Sequence, residues 1–303
     1  MRTLTRAAFA TIASLTVVSM LTGTGVAQLP VPLPTLPALP SLPSLTPELL
    51  LDIANVSMPP EGGVSLQIHA DFPDEAPFVL DGLEIYSLTA DITPEGEVVL
   101  GSAQTAYTAA SGSQSSGECS DDAFAPTGSS WSSQDEMPIV WHMNRRSIPS
   151  GISRDKTLLE ARGAHKIWPH AFSDCADADR ISFAYNYGGL TSKHPQFDGV
   201  NTIDFGSLGN GALAVNYAYF SGTRILEVDL RLNKADYGWS NTVGVQKYQV
   251  KNVMTHELGH QFGLDDLGDP HGALTMYGRT GKGERNKVSL GAGDVRGAEA
   301  LSP

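Results

Sequence analysis

The chain is short of cysteine, of charge and above all of basic residues, and each shortage closes off a class of protein. Two Cys in 303 residues are too few for a disulfide-built scaffold, although they suffice for one bridge. Lys and Arg number 20 against 33 Asp and Glu, a formal charge of -13. Without a basic footprint the chain has no means of gripping phosphates, so nucleic acid is excluded as a partner. Charged residues make up only 17%, so the surface is polar and Gly-rich more than salt-laced. Beyond the first two dozen residues no run is long and apolar enough to span a bilayer, which argues against stable membrane insertion. Hydrophobic residues at 41% are enough for a buried core, so wholesale disorder is ruled out.

The chain divides by composition. Met1 to Ala27 carries Arg2 and Arg6, a mostly apolar run from Ala7 to Leu21, and the small-residue ending Gly25-Val26-Ala27. That order is expected of a secretory signal peptide cleaved after Ala27, with a secreted, extracellular product. Its removal leaves 18 Lys and Arg against 33 Asp and Glu, or -15. Residues 28–47 hold Pro at 30, 32, 34, 37, 40, 43 and 47, a polyproline-type tether. Residues 48–110 contain short alternating segments, Val64 to Ala70, Leu83 to Tyr86 and Val98 to Leu100, punctuated by Pro and Gly. They read as a small β-rich region with no cluster of catalytic or metal-binding residues, serving as pro-segment, accessory module or folding aid. Residues 111–135 read as a Ser/Gly-rich linker.

Residues 136–303 are richer. Strands are expected at Pro138 to Asn144, Ile181 to Tyr185, Asn201 to Phe205, Ala212 to Tyr219 and Ile225 to Leu232. A helix capped by Ser153 is expected to Trp168, and another from Gln246 to Phe262, ended by Gly263. This order gives an α/β (α+β) domain with a mixed sheet.

The chemistry is concentrated in Thr255-His256-Glu257-Leu258-Gly259-His260-Gln261-Phe262-Gly263-Leu264-Asp265-Asp266. His256 and His260 lie four apart, so their imidazoles leave one helix face a turn apart and can share a zinc ion. Glu257 is placed to act as a base on a zinc-bound water. Gly263 allows a sharp turn that brings Asp266 back as third ligand, with His271 as the alternative third ligand. Met276 suits an apolar floor under the metal. A bare H-E-x-x-H is weak; the Gly turn and the carboxylate that follow make it specific.

These residues, with Leu274-Thr275-Met276-Tyr277, resemble the metzincin zinc endopeptidases, and most closely their matrixin-like branch. Ile225 to Asn233 with Trp239, and Val288 to Leu301, resemble the strand before the active-site helix and the closing C-terminal helix. The resemblance covers residues 136–303. It implies a twisted five-stranded mixed sheet, an active-site helix, a C-terminal helix and Met276 in a turn beneath the zinc. Where matrixins carry a third His this chain has Asp266, as snapalysin does. Ala212 to Tyr217 resembles the family's edge strand, able to hold a peptide by strand addition, or else is an ordinary sheet strand.

The expected function is therefore a secreted zinc endopeptidase, a monomer acting on polypeptides, with Glu257 as base. Two alternatives stand beside it: an inactive metzincin-like binding or adhesion module, and a zinc hydrolase of a non-peptide amide. The scattered His142, His165, His170 and His194 lack the spacing for a second zinc. Asp174, Asp177 and Asp179 form an acidic loop that offers a Ca2+ site or a solvated surface. Cys119 and Cys175, once exported, are expected to form a disulfide, the alternative being a free Cys119 thiolate capping the metal in a latent form.

Overall fold

The computed structural model describes residues 64–303 apart from 74–78, 81–82, 85–86, 94–97, 105–116, 134–135, 172, 174, 176–180, 209–210 and 244. The expected export signal, the Pro-rich tether and Asp174, Asp177 and Asp179 lie outside the described residues.

The strands, in chain order, are β1 (Val64–Pro73), β2 (Val79–Leu80), β3 (Leu83–Glu84), β4 (Ser87–Ile92), β5 (Val98–Gln104), β6 (Ile139–Met143), β7 (Tyr185–Leu190), β8 (Asn201–Gly206), β9 (Ala214–Ser221), β10 (Arg224–Asn233), β11 (Trp239–Ser240), β12 (Tyr248–Gln249) and β13 (Arg279–Thr280). The helices are α1 (Arg154–Ala164), α2 (Val250–His260) and α3 (Ala292–Leu301). The result is a mixed α/β fold with few helices.

Five strands in the order β9-β10-β8-β6-β7 form the mixed sheet of the C-terminal region. β10, β8, β6 and β7 are parallel to one another and β9 is antiparallel to β10. The sheet does not stop at five. β1 pairs antiparallel with β9, β4 with β1 and β5 with β4, and β13 joins β1, giving nine strands among the described residues. The N-terminal strands thus extend the same sheet.

Ser153 caps α1 by accepting a bond from the Lys156 amide, which satisfies one of the helix's free amides. The second expected strand is displaced: pairing begins at Tyr185, not Ile181. The Ser182 amide donates to Ser302 Oγ and the Ala184 amide to Met137 Sδ. Those peptide groups are taken by side chains, so Phe183 is buried without its segment joining the ladder.

The main core lies between the C-terminal strands and the helices, and includes Trp141, Trp168, Leu230, Val253, Leu258, Phe262 and Met276. A smaller core on the other face of the sheet joins Val64, Leu66, Ile68 and Phe72 of β1 to Val215, Tyr217 and Tyr219 of β9.

The expected linker also differs. From Gly117 the chain is a packed strap across the C-terminal region. Ala123, Ala125 and Trp131 are buried. The Ala292 and Gly293 amides at the start of α3 donate to the carbonyls of Glu118 and Asp121, both at 2.9 Å. Ser/Gly composition describes the beginning of the segment, but three apolar side chains and free backbone groups lay the rest on the core. Cys119 and Cys175 are joined in a disulfide with Cα atoms 4.7 Å apart, so a free Cys119 thiolate is overturned.

Candidate metal centre

α2 is buried along almost its whole length. Trp168 Nε1 donates to Thr255 O in mid-helix and Trp131 Nε1 to Gln261 O just past the helix end, each at 2.8 Å. A helix end buried in this way needs such partners. After Gln261 the chain turns at Gly263, whose φ is +103°. A Cβ there would strike the Ser129 carbonyl, so the turn demands glycine twice over.

The turn brings Asp266 back to the helix. His256 Nε2 and His260 Nε2 lie 3.2 Å apart, and Asp266 Oδ1 is 3.1 Å from the first and 3.5 Å from the second. Each ring is held by its other nitrogen. His256 Nδ1 faces Thr275 O at 2.7 Å and His260 Nδ1 faces Leu264 O at 2.8 Å. A carbonyl only accepts, so both Nδ1 atoms carry the proton and both Nε2 lone pairs point at Asp266, as ligating histidines require. Burial pushes the two imidazoles down, His256 to about 4 and His260 to about 3, which keeps both neutral.

Glu257 is fully buried and neither of its carboxylate oxygens makes a hydrogen bond; the same is true of Asp266. Burial, reinforced by Asp71 and Asp266, raises the Glu257 carboxyl well above its usual range. Burial is also the first cause of the raised values of Asp266 and Asp71. Buried carboxylates without partners are costly, and a cation between them reverses that cost. The donors therefore fit a divalent metal, since two imidazoles and a carboxylate are a set that zinc takes.

Met276 lies directly under the helix. A Cβ on Gly259 would meet Met276 Sδ and Trp168 Cζ2, so Gly259 is the gap into which the sulfur fits. Asp294 of α3 fixes that turn by accepting from the amides of Thr275 (2.7 Å), Met276 (3.1 Å) and Gly291 (2.8 Å). His271 lies elsewhere: its Nδ1 is 2.8 Å from Asp121 Oδ2 of the strap, and it belongs to neither cluster of metal-competent groups.

Those clusters are His69, His260 and Asp266, and Asp71, His256 and Glu257, each with donor atoms within 4.8 Å of one another. Residues 48–110, read as holding no cluster of metal or catalytic residues, nonetheless supply one residue to each group, His69 and Asp71 of β1. The only sign in the sequence was a His and an Asp two apart, on the polar side of an alternating segment. Lys287 was also missed. It is buried, its Nζ donates to Tyr277 O, and its own amide donates to Asn252 Oδ1 at 2.9 Å. With β13 paired to β1 and the Gly283 amide on Lys247 O at 3.0 Å, Gly278 to Lys287 is tied down at several points, contrary to its Gly-rich composition. The Ala212–Tyr217 segment lies largely in β9 and is no edge strand here, because β1 covers the side away from β10.

No protein-family model matches the chain, and no curated protein is similar to it. Among the described residues no helix is long and apolar enough to cross a membrane.

Proposed function

We propose that the chain is a secreted zinc-dependent endopeptidase of the metzincin type, with His256, His260 and Asp266 as ligands and Glu257 as catalytic base. The observation that carries the reading is the convergence of two tautomer-fixed Nε2 atoms and a carboxylate beside a buried Glu257 without hydrogen-bond partners. Zinc in this position supplies Lewis-acid polarisation of a scissile carbonyl. Glu257 takes a proton from the attacking water and returns it to the leaving amine. Met276 and Gly259 hold the helix at a fixed height, and Asp294 holds Met276.

The test is elemental analysis of the mature chain together with digestion of casein, with and without chelator. About one zinc per chain is expected by the three-ligand count, lost in His256→Ala and His260→Ala and kept in Glu257→Ala, which should digest nothing. Iron in place of zinc, which the same donor set also suits, or digestion retained in Glu257→Ala, overturns the reading. The covering of the centre by β1 favours the inactive binding module as second reading. That module would bind zinc equally and stay inert even after β1 is removed.

A further inference from the structure

Lys287 is a buried cation that the hydrolytic steps leave unused. It is 1% exposed, and its side chain runs along the face of α2 that carries the donors. The Lys287 amide donates to Asn252 Oδ1 at 2.9 Å, and its Nζ ends 3.4 Å from His256 Nδ1. Asn252 and His256 stand four apart, so this one residue spans a helical turn beside the first donor. Nδ1 lies across the imidazole from Nε2, which sets the ammonium one ring behind the metal position. A substrate side chain that reaches it belongs to a residue next to the bond being cut.

Hydrogens outnumber acceptors at this spot. An ammonium has three to donate, and Nζ gives one to Tyr277 O. His256 Nδ1 accepts none, because it holds its own proton toward Thr275 O. Asn252 commits its oxygen to the Lys287 amide, and its Nδ2 is left buried without a partner. Donors stranded in this way are costly. An acceptor relieves the cost, and for Nζ the best acceptor is an anion.

The chain carries its own example of such an anion. Asp71 brings a buried carboxyl to the same flank of His256, with Oδ1 lacking a partner. Among its charged neighbours Lys287 does most to hold that carboxyl down against burial. The segment leading to Lys287 has the same sign. Gly278 to Lys287 holds Arg279, Lys282, Arg285 and Lys287 against Glu284 alone, in a chain of formal charge -13.

We propose that Lys287, with Asn252 beside it, selects the substrate, and that the bond cut is one flanked by Asp or Glu. The carboxylate of that residue takes the place near Lys287 Nζ that the Asp71 carboxyl holds in this structure. This rests on the endopeptidase reading and names the substrate class of that site. A site built around buried donors rejects a side chain that leaves them unpaired.

The test gives the zinc-loaded mature chain pairs of fluorogenic peptides, randomised except beside the cut. Members of a pair differ only as Glu against Gln or Asp against Asn, on one flank or the other, and kcat/KM is read for each. Binding of the same peptides to Glu257→Ala is read without turnover. The acidic member should be favoured by about tenfold or more, and the ratio should fall to about one in Lys287→Met, which keeps the length and removes the charge. A merely structural loss lowers both members and leaves their ratio alone. The wild-type ratio decides by itself if Lys287→Met does not fold. Cleavage without preference for the acid, or a ratio that survives in folded Lys287→Met, overturns the proposal and leaves the endopeptidase reading in place. Absence of cleavage, with binding that favours the acidic member and loses that preference in Glu257→Ala/Lys287→Met, supports the acidic site and overturns the endopeptidase reading. Neither cleavage nor preference overturns both.

Discussion

Gly259 has no side chain because Met276 needs the space. The sulfur of Met276 and the edge of Trp168 occupy the place a Cβ would take, and Gly259 stands between Glu257 and His260, so any push there is felt by two functional groups. Gly259→Ala should destabilise the fold by about 1–3 kcal/mol, the range for overpacking a tight interior, and lower zinc affinity. Met276→Ala empties the same space and should cost about 2–5 kcal/mol. Because the two act on one gap, the double variant should lose clearly less than the two losses added together. Chemical denaturation of all four proteins checks this, and simple additivity would mean that the sulfur does not fill the gap. The four motif residues, by contrast, were legible in the sequence. His256, Glu257 and His260 are set by helix periodicity alone, and Asp266 by a glycine turn, so their placement depends only on local geometry. His69 and Asp71 were not legible, because their position depends on which strand β1 pairs with. A period-two pattern assigns the face of a strand but not its partner.

At the scale of elements, the centre is assembled from pieces that each lack half of what they need. α2 provides the proposed ligands, but indoles from other segments bond its Thr255 carbonyl and the Gln261 carbonyl just past its end. The Met276 turn provides the floor, but its amides are held by Asp294 of α3. The start of α3 in turn gives its free amides to the strap at Glu118 and Asp121. The Cys119–Cys175 bridge spans 56 residues and anchors the strap beyond α1, as the sequence suggested by pairing the two cysteines of a chain expected to be exported. The packing of the strap was hidden because Ala123 and Ala125 are too small to mark a buried segment. By loop-closure entropy a bridge of this span contributes about 4 kcal/mol. Cys119→Ser/Cys175→Ser should therefore lower the unfolding free energy by up to about that amount, seen as an earlier urea midpoint, with zinc content unchanged in the folded protein. A midpoint equal to wild type would mean the strap holds without its bridge.

Across the whole molecule, the acidic balance read from composition becomes an arrangement of buried carboxylates, and not all of them are at the candidate metal centre. Glu227 and Asp229 of β10 fasten the loop between β7 and β8. Glu227 accepts from the amides of Asp198 and Gly199, at 3.0 Å and 2.5 Å. Asp229 accepts from those of Gln196 (2.8 Å) and Thr202 (2.6 Å). Burial is the largest influence on both, and it pushes Glu227 up to about 7 and Asp229 well above the usual carboxylate range. A folded chain that holds a proton more tightly than the unfolded chain loses stability as pH rises. For Glu227 the contribution is fully present below the unfolded value of 4.5 and is lost as pH climbs through about 7. The shift corresponds to about 3 kcal/mol, and Asp229 acts in the same direction. Glu227→Gln gives up an acceptor and should be less stable at low pH, but it has nothing to titrate. The stability advantage of wild type over this variant, measured by urea unfolding at matched metal content, should shrink steadily from pH 5 to pH 7 and level off above it. An advantage that stays constant or grows over that range would mean that Glu227 is ionised throughout, with its bonds to the loop amides outweighing burial.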